Sequence, residues 1–106
     1  MKLVTAIIQP QQLPAVKRAL FEAQIKHMTC TNVLGTETKG VEVLMFRGVP
    51  HEVTLQQKVR VELALGDELK ERAVEAIRKG ALESGGFGVI MVSELNDFID
   101  VAGAGG

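Results

Sequence analysis

The chain contains no tryptophan and no tyrosine, and only four of its 106 residues are phenylalanine. Its core must therefore be aliphatic, filled by Val, Ile and Leu without stacked rings. A single cysteine, Cys30, is present. It cannot form an internal disulfide, which excludes a disulfide-stapled scaffold and points to a reducing, cytoplasmic setting. Neither sign of charge is in excess: 12 basic and 13 acidic side chains leave a formal charge of −1. That balance gives no electrostatic footprint for nucleic acid or for an anionic membrane surface. Long hydrophobic runs are also missing. The apolar opening stretch Met1–Ile8 is cut by Gln9-Pro10, too early for a signal-peptide core or a membrane span. No internal repeat is visible, and the length suits one domain with a modest core.

What is present is a set of short periodic segments. Leu3–Ile8 is apolar on both alternating faces and reads as a central strand, ended by Pro10. Leu13, Val16, Leu20 and Ala23 recur at helical spacing, with Lys17, Arg18 and Glu22 off that stripe, which predicts a helix with one buried face. Thr29–Leu34 is a second strand that stops at Gly35. In Lys58–Leu65, Val59, Val61, Leu63 and Leu65 alternate with Lys58, Arg60, Glu62 and Ala64; this predicts a strand with one wet face. Asp67 is read as the N-cap of a second helix with the stripe Leu69, Ala73, Ala76 and Ile77, and Arg78-Lys79-Gly80 as its stop. The glycine cluster Ser84–Gly88 then leads into a last strand, Val89–Val92. The order β-α-β, long loop, β-α-β predicts an α+β, ferredoxin-like sandwich. Its helices would cover one sheet face and leave the other, partly apolar, for a subunit contact.

The loop Gly35–Gln57 is the anomaly. Connections in compact domains have a median of about 4–6 residues, and much longer ones are functional or disordered. This one carries the apolar run Val41–Phe46 followed by Arg47-Gly48-Val49-Pro50-His51, more apolar surface than a solvated linker carries. We read it as the working arm. Residues 1–98 form the folded domain around it, and 99–106 a flexible glycine-rich tail.

The opening Met1–Pro10, the segment His27–Thr31 leading into the second strand, Phe46-Arg47-Gly48, Lys58–Glu62 and Val74–Ile77 together resemble the PII signal-transduction proteins, with nearly constant spacing from Met1 to about Phe98. The resemblance implies a cytoplasmic homotrimer that regulates a membrane transporter or metabolic enzyme, as in nitrogen regulation. Adenine nucleotides (ADP, ATP or AMP) and a small-molecule effector would sit in intersubunit clefts. It assigns Thr29, Gly35, Lys58, Gly85, Gly86 and Gly88 to the nucleotide, and Phe46, Arg47, Gly48 and His51 to the partner-binding loop. Ser84–Gly88 would be the phosphate-cradling B-loop, and residues 35–57 the T-loop.

Departures from the pattern bear on the ligand. Where the family has a glycine–arginine turn and a glutamine, this chain has Thr36-Glu37-Thr38-Lys39. Val89 stands where a basic residue follows the last B-loop glycine, and Ile99–Ala102 lacks the two arginines while carrying Asp100. His51 replaces the loop tyrosine that some members modify. Charge-assisted contacts to phosphate are worth roughly 1.5–3 kcal/mol each, so adenine-nucleotide binding is expected to be weak or altered and to rest on backbone amides. Lys58 has two readings, a metabolite contact or a solvated charge on the wet strand face. Ser84–Gly88 likewise reads as a phosphate cradle or a plain turn.

An alternative is a trimeric metal-homeostasis protein of the same fold, resembling the CutA proteins, because His27, Met28, Cys30, Met45 and His51 are soft-ligand types. Without a CxxC or HxxxH pair, Met28 and Cys30 read instead as core or trimer-contact residues. The sequence contains no arrangement of nucleophile and base that would suggest an enzyme.

Overall fold

Alternating side chains divide the chain between two faces of one sheet. The computed structural model describes residues 1–36, 45–46, 49–50 and 54–103, the two short pairs as backbone. Its strands are β1 (Lys2–Ile8), β2 (Thr29–Gly35), β3 (Met45–Phe46), β4 (Val49–Pro50), β5 (Gln56–Leu65) and β6 (Val89–Glu94). The helices are α1 (Leu13–Glu22), entered through a 3-10 turn at Pro10–Gln12, and α2 (Lys70–Glu83), entered through another at Asp67–Leu69.

The main sheet has the order β2-β5-β1-β6 with every neighbouring pair antiparallel. This is the expected ferredoxin-like arrangement. Register decides what is buried. Val4 faces Leu63, Ala6 faces Val61 and Ile8 faces Val59; all six are buried on the side covered by the helices. Fully burying an aliphatic side chain of this size is worth about 1.5–3 kcal/mol, so this central ladder is the main source of cohesion.

The helices supply the other half of the core through Val16 and Leu20 of α1 and Ala73, Ala76 and Ile77 of α2. Gly80 corrects the expected helix stop, because α2 runs on to Glu83 and Gly80 is buried within it. A Cβ at Gly80 would lie 2.6 Å from Val16 Cα and 2.7 Å from Val16 N. The glycine is there for close helix–helix approach, not for termination. The expected cap is also displaced. Gly66 occupies the extended N-cap position, and Asp67 instead pairs with the Met1 α-amine at 3.1 Å. The amine lowers the Asp67 carboxyl below its ordinary range by hydrogen bonding and by charge.

The face without helices is mixed. Leu3, Ile7, Val33, Val89 and Met91 share it with Thr5, Lys58, Arg60 and Glu62. Val89 and Met91 are exposed there. The wet-face reading of Lys58 is overturned, since its side chain is buried, at 7% exposure. Cys30 is exposed and so is not a core residue of the chain, whereas Met28 packs partly against the core.

Candidate functional site

The glycine cluster sits where α2 ends beside the end of β1. The Ala81 carbonyl accepts the Ser84 amide at 3.2 Å and the Gly86 amide at 2.8 Å. A third donor, Gln12 Nε2, reaches the same oxygen at 3.2 Å. Gln12 is completely buried, and its Oε1 accepts the Gln9 amide at 2.7 Å. One buried amide side chain thus ties the β1–α1 turn to the C-terminus of α2 and fixes the origin of the glycine turn. From there Gly85, Gly86 and Gly88 all take positive φ, at 117°, 74° and 139°, a backbone path that side chains with a Cβ resist. Gly88 also passes so close to β1 that a Cβ would meet the Ile7 carbonyl at 2.8 Å.

This turn borders a hollow of ≈360 Å³, walled by Ile8, Ile77, Leu82 and Phe87, with Arg78 as the cation among its described lining residues. The walls suit a flat apolar group, and the glycines and Arg78 suit an anionic one. Gly86's amide is already engaged with Ala81, so a phosphate at this turn would depend on the remaining amides and Arg78.

A second hollow of ≈290 Å³ lies on the β2–β5 side, lined by Pro10, Asn32, Leu34, Gln57 and Lys58. Gly35 packs close to it; a Cβ there would be 3.4 Å from Lys58 Cγ. Thr29 lies at the opposite end of β2, exposed and paired with Glu62. The sequence-assigned residues therefore do not form one site within a chain. Gly86 and Gly88 line one hollow, Lys58 lines another with Gly35 beside it, and Thr29 stands apart.

The arm springs from adjacent strands. Gly35 and Gln56 are register partners, so the two ends of the loop are clamped together by the sheet. Within the arm, Met45–Phe46 pairs antiparallel with Val49–Pro50, which places Phe46 in β3. Arg47, Gly48 and His51 lie outside the described residues.

Among the described residues no group of three His, Cys, Asp or Glu side chains could hold a metal ion. No helix among them is long and apolar enough to cross a membrane. Sequence reasoning missed two residues that this geometry singles out. For Gln12 the available signal was its position in the Gln9-Pro10-Gln11-Gln12 turn, an N3 glutamine able to reach back to the cap amide. For Arg78 it was helical spacing, which sets it beside Ala81 and Leu82 at the glycine end of α2.

Residues 1–103 match the family described as Nitrogen regulatory protein P-II. The chain belongs to the P-II family. Curated relatives agree over nearly the full length. It is 34% identical over 104 residues to the nitrogen regulatory protein GlnK1 of Methanosarcina mazei, covering 95% of this chain and 89% of that protein. It is 38% identical over 103 residues to the nitrogen regulatory protein P-II of Mesorhizobium japonicum, covering 95% and 91%. The corresponding protein of Bradyrhizobium diazoefficiens is 37% identical with the same coverage. As a P-II protein the chain has a regulatory, signalling role on a ferredoxin-like frame. Within that frame, Thr36–Lys39, Val89 and Asp100 remain the positions where its charges depart from the pattern that the resemblance implied.

Proposed function

We propose that this P-II protein acts as a ring of three copies that controls a partner protein, a transporter or a metabolic enzyme of nitrogen metabolism, through the 35–57 arm. Weak adenine-nucleotide binding in the clefts between copies would bias the arm. The observation that carries this reading is the clamp at the arm's base. The frame pairs Gly35 with Gln56, so both ends of the arm leave the sheet from adjacent strands at one point. Long loops held on a rigid frame are where binding residues concentrate.

Sheet topology supports placing the clefts between copies. The glycine turn leads into the β6 edge, while Gly35 lies on the β2 edge with Lys58 one strand inward. An interface that joins the β6 edge of one copy to the β2 edge of the next would bring the two hollows together, and such head-to-tail contacts close into rings. In the cleft, Arg78 is the nearest substitute for the cations that the loop and tail lack. Regulation without catalysis by this chain is the corresponding reading of its chemistry.

Calorimetric titration with ATP, ADP and AMP, with and without magnesium and 2-oxoglutarate, tests the proposal. We expect affinities within a few-fold of one another, weakened by Arg78→Ala. Tight magnesium-dependent ATP binding that 2-oxoglutarate strengthens would show that the missing cations had been overvalued. Absence of any adenine-nucleotide binding would remove the nucleotide from the proposed mechanism.

A further inference from the structure

Beside the stripe that packs on the sheet, α1 carries a second one on its outer flank. Pro14, Lys17, Arg18 and Phe21 fall at i, i+3, i+4 and i+7, which sets them on one helix face. After the helix the chain turns sharply at Gln24, which adopts φ 66° without being glycine. The turn is held by the Gln24 amide donating to Phe21 O at 3.0 Å and the Ile25 amide donating to Leu20 O at 2.9 Å. It returns Lys26 over Phe21, with Nζ 5.3 Å from the ring centroid, a cation–π contact. With Ile25 and Met28 as apolar walls, these residues line a groove of ≈540 Å³. Phe21 is 61% exposed.

Charge sets this groove apart. Lys17, Arg18 and Lys26 line it, and its described lining contains no acid. None of the three has a carboxylate partner among the described residues, whereas Lys2, Arg60, Lys70 and Arg78 each have one. Glu22, the acid next to Phe21 in sequence, lines a different hollow, with Arg72, Glu75 and Lys79. A chain of net charge −1 thus gathers uncompensated positive charge around an exposed aromatic ring.

The complementary occupant is a short acidic segment that carries an apolar side chain among its carboxylates. The apolar group would lie on Phe21, Ile25 and Met28, and the carboxylates would meet the three cations. A bilayer is a poorer match, because recognition of anionic lipid by basic clusters takes about 4–8 Lys or Arg, and a groove receives a side chain more readily than a flat surface. Position keeps the groove apart from the arm. Met28 stands just before β2, and the arm leaves β2 at its other end, Gly35. The seven-residue strand between them spans about 20 Å. All of the lining comes from one chain, so the groove is complete without a neighbouring copy.

We propose that the α1 groove is an auxiliary docking site for an acidic segment of a partner protein. Opposite charges at such a contact steer the encounter and fix its orientation, and Phe21 is the aromatic anchor. The contact is too weak to capture a partner alone. It adds to the arm's grip, since a second site on the same partner binds at high effective concentration once the first is engaged. The proposal extends the reading of the arm and is tested separately from it.

The absence of tryptophan provides the test. A Phe21→Trp variant of the full chain carries one indole, placed in the groove, and the probe is the end-blocked peptide Glu-Asp-Leu-Leu-Asp-Glu. We expect water-exposed emission from the free protein and a saturable blue shift on titration, half-complete at or below about 1 mM peptide. Adding Arg18→Glu and Lys26→Glu should weaken binding at least about tenfold. The reversed peptide Lys-Lys-Leu-Leu-Lys-Lys should then bind in place of the acidic one, which shows that the double variant is folded. Replacing both leucines of the acidic peptide by serine should cost at least about fivefold. Deleting Glu37–Thr54, or adding excess ATP, should leave the titration within about twofold of the parent. Absence of a saturable shift, or a shift that the charge reversals do not move, would overturn the groove as a docking site. Loss of the shift on deleting the arm, or its competition by ATP, would assign the peptide to the arm or the cleft and overturn the groove while leaving the arm reading intact. An indole already protected from quencher in the free protein would show the groove covered by another copy and overturn the proposal. Phosphatidylserine vesicles that shift the emission where the peptide does not would also overturn it, by giving the groove a lipid occupant.

Discussion

Gly80→Ala separates two physical rules that predict opposite signs. Considered locally, the change should stabilise the protein, because alanine is favoured over glycine inside a helix by about 1 kcal/mol. Considered in the packed molecule, the new methyl group would lie 2.6 Å from Val16 Cα, 2.7 Å from Val16 N and 2.8 Å from Ala15 O. All three are backbone atoms of α1, so no rotamer change can relieve the clash. Ordinary contact begins at 3.4 Å, which requires the helices to separate by about 0.8 Å, the difference between 3.4 and 2.6 Å. A gap of 0.5–1 Å forfeits roughly a quarter to a half of the attraction between the atoms it parts, here around Val16, Leu20, Ala76 and Ile77. Overpacking of this kind costs about 1–3 kcal/mol. Net of the propensity gain, we expect a loss of about 0–2 kcal/mol, with a fall in Tm of up to roughly 16 °C.

The measurement is thermal unfolding by circular dichroism at matched protein concentration, because assembly makes Tm concentration-dependent. Gly66→Ala is the control. Its Cβ would also come close to another group, 2.5 Å from Glu68 Oε1, but that group ends a flexible exposed side chain that can swing away. Gly66 has φ −65° and ψ 155°, which alanine accepts, so the change should cost under about 1 kcal/mol, the value of a cap residue. A Gly80→Ala protein more stable than the parent would refute the reasoning that close helix approach retains this glycine.

Gln12→Ala leaves the Gln9 amide without its acceptor and takes one donor from the Ala81 carbonyl; unfolding should show a loss of about 1–3 kcal/mol. Hydrogen exchange at Gly86 should also quicken. Asp67→Asn removes a carboxyl whose lowered pKa supports the fold above the ordinary carboxylate value of about 4 and ceases to do so as pH falls through the lowered value. The variant should therefore be slightly less stable than the parent at pH 7 and converge with it as pH falls, giving a flatter acid limb in a Tm–pH series; solvent screening of the exposed pair keeps the difference small. Deleting Glu37–Thr54 and closing the gap with a short turn should leave assembly and Tm nearly unchanged, because closure cost grows slowly with loop length. It should also abolish partner capture in a pull-down; capture by the deletion variant would shift partner binding to the frame.

Period was the legible part of this fold. β5 announced itself by alternation, β1 by an apolar run ended at Pro10, α1 by its stripe, and the loop by a length that no compact domain needs. The errors came where a residue's meaning is set by a distant neighbour. Gly80 has the local chemistry of a helix stop, and only the arrival of Val16 against it gives it another use. Lys58 sits in alternation with Arg60 and Glu62, which makes a solvated charge one of its two readings, yet it is buried, beside Gly35 and with Val33 as its register partner. Gln12 is one of several glutamines in a turn, and its bond to Ala81 spans 69 positions of sequence. The resemblance located the nucleotide residues by position, but their division between two hollows follows from the sheet order.

That division has an energetic consequence for the proposed switch. A ligand can move the arm only by the difference in its affinity for the arm's alternative states. The arm's base, Gly35, packs beside Lys58, so on the ring reading a ligand in the cleft touches one end of the arm directly. Its leverage depends on what it can hold there. Charge-assisted hydrogen bonds supply about 1.5–3 kcal/mol and neutral ones about 0.5–1.5 kcal/mol. A cleft built from backbone amides, Lys58 and Arg78, with Asp100 contributed by the tail, can make few contacts of the first kind. Neutral contacts would shift the arm by roughly tenfold each at most, 1.4 kcal/mol being a factor of ten. Such a protein would respond in a graded way to whether the cleft is filled, and would discriminate little by the number of phosphates on the nucleotide.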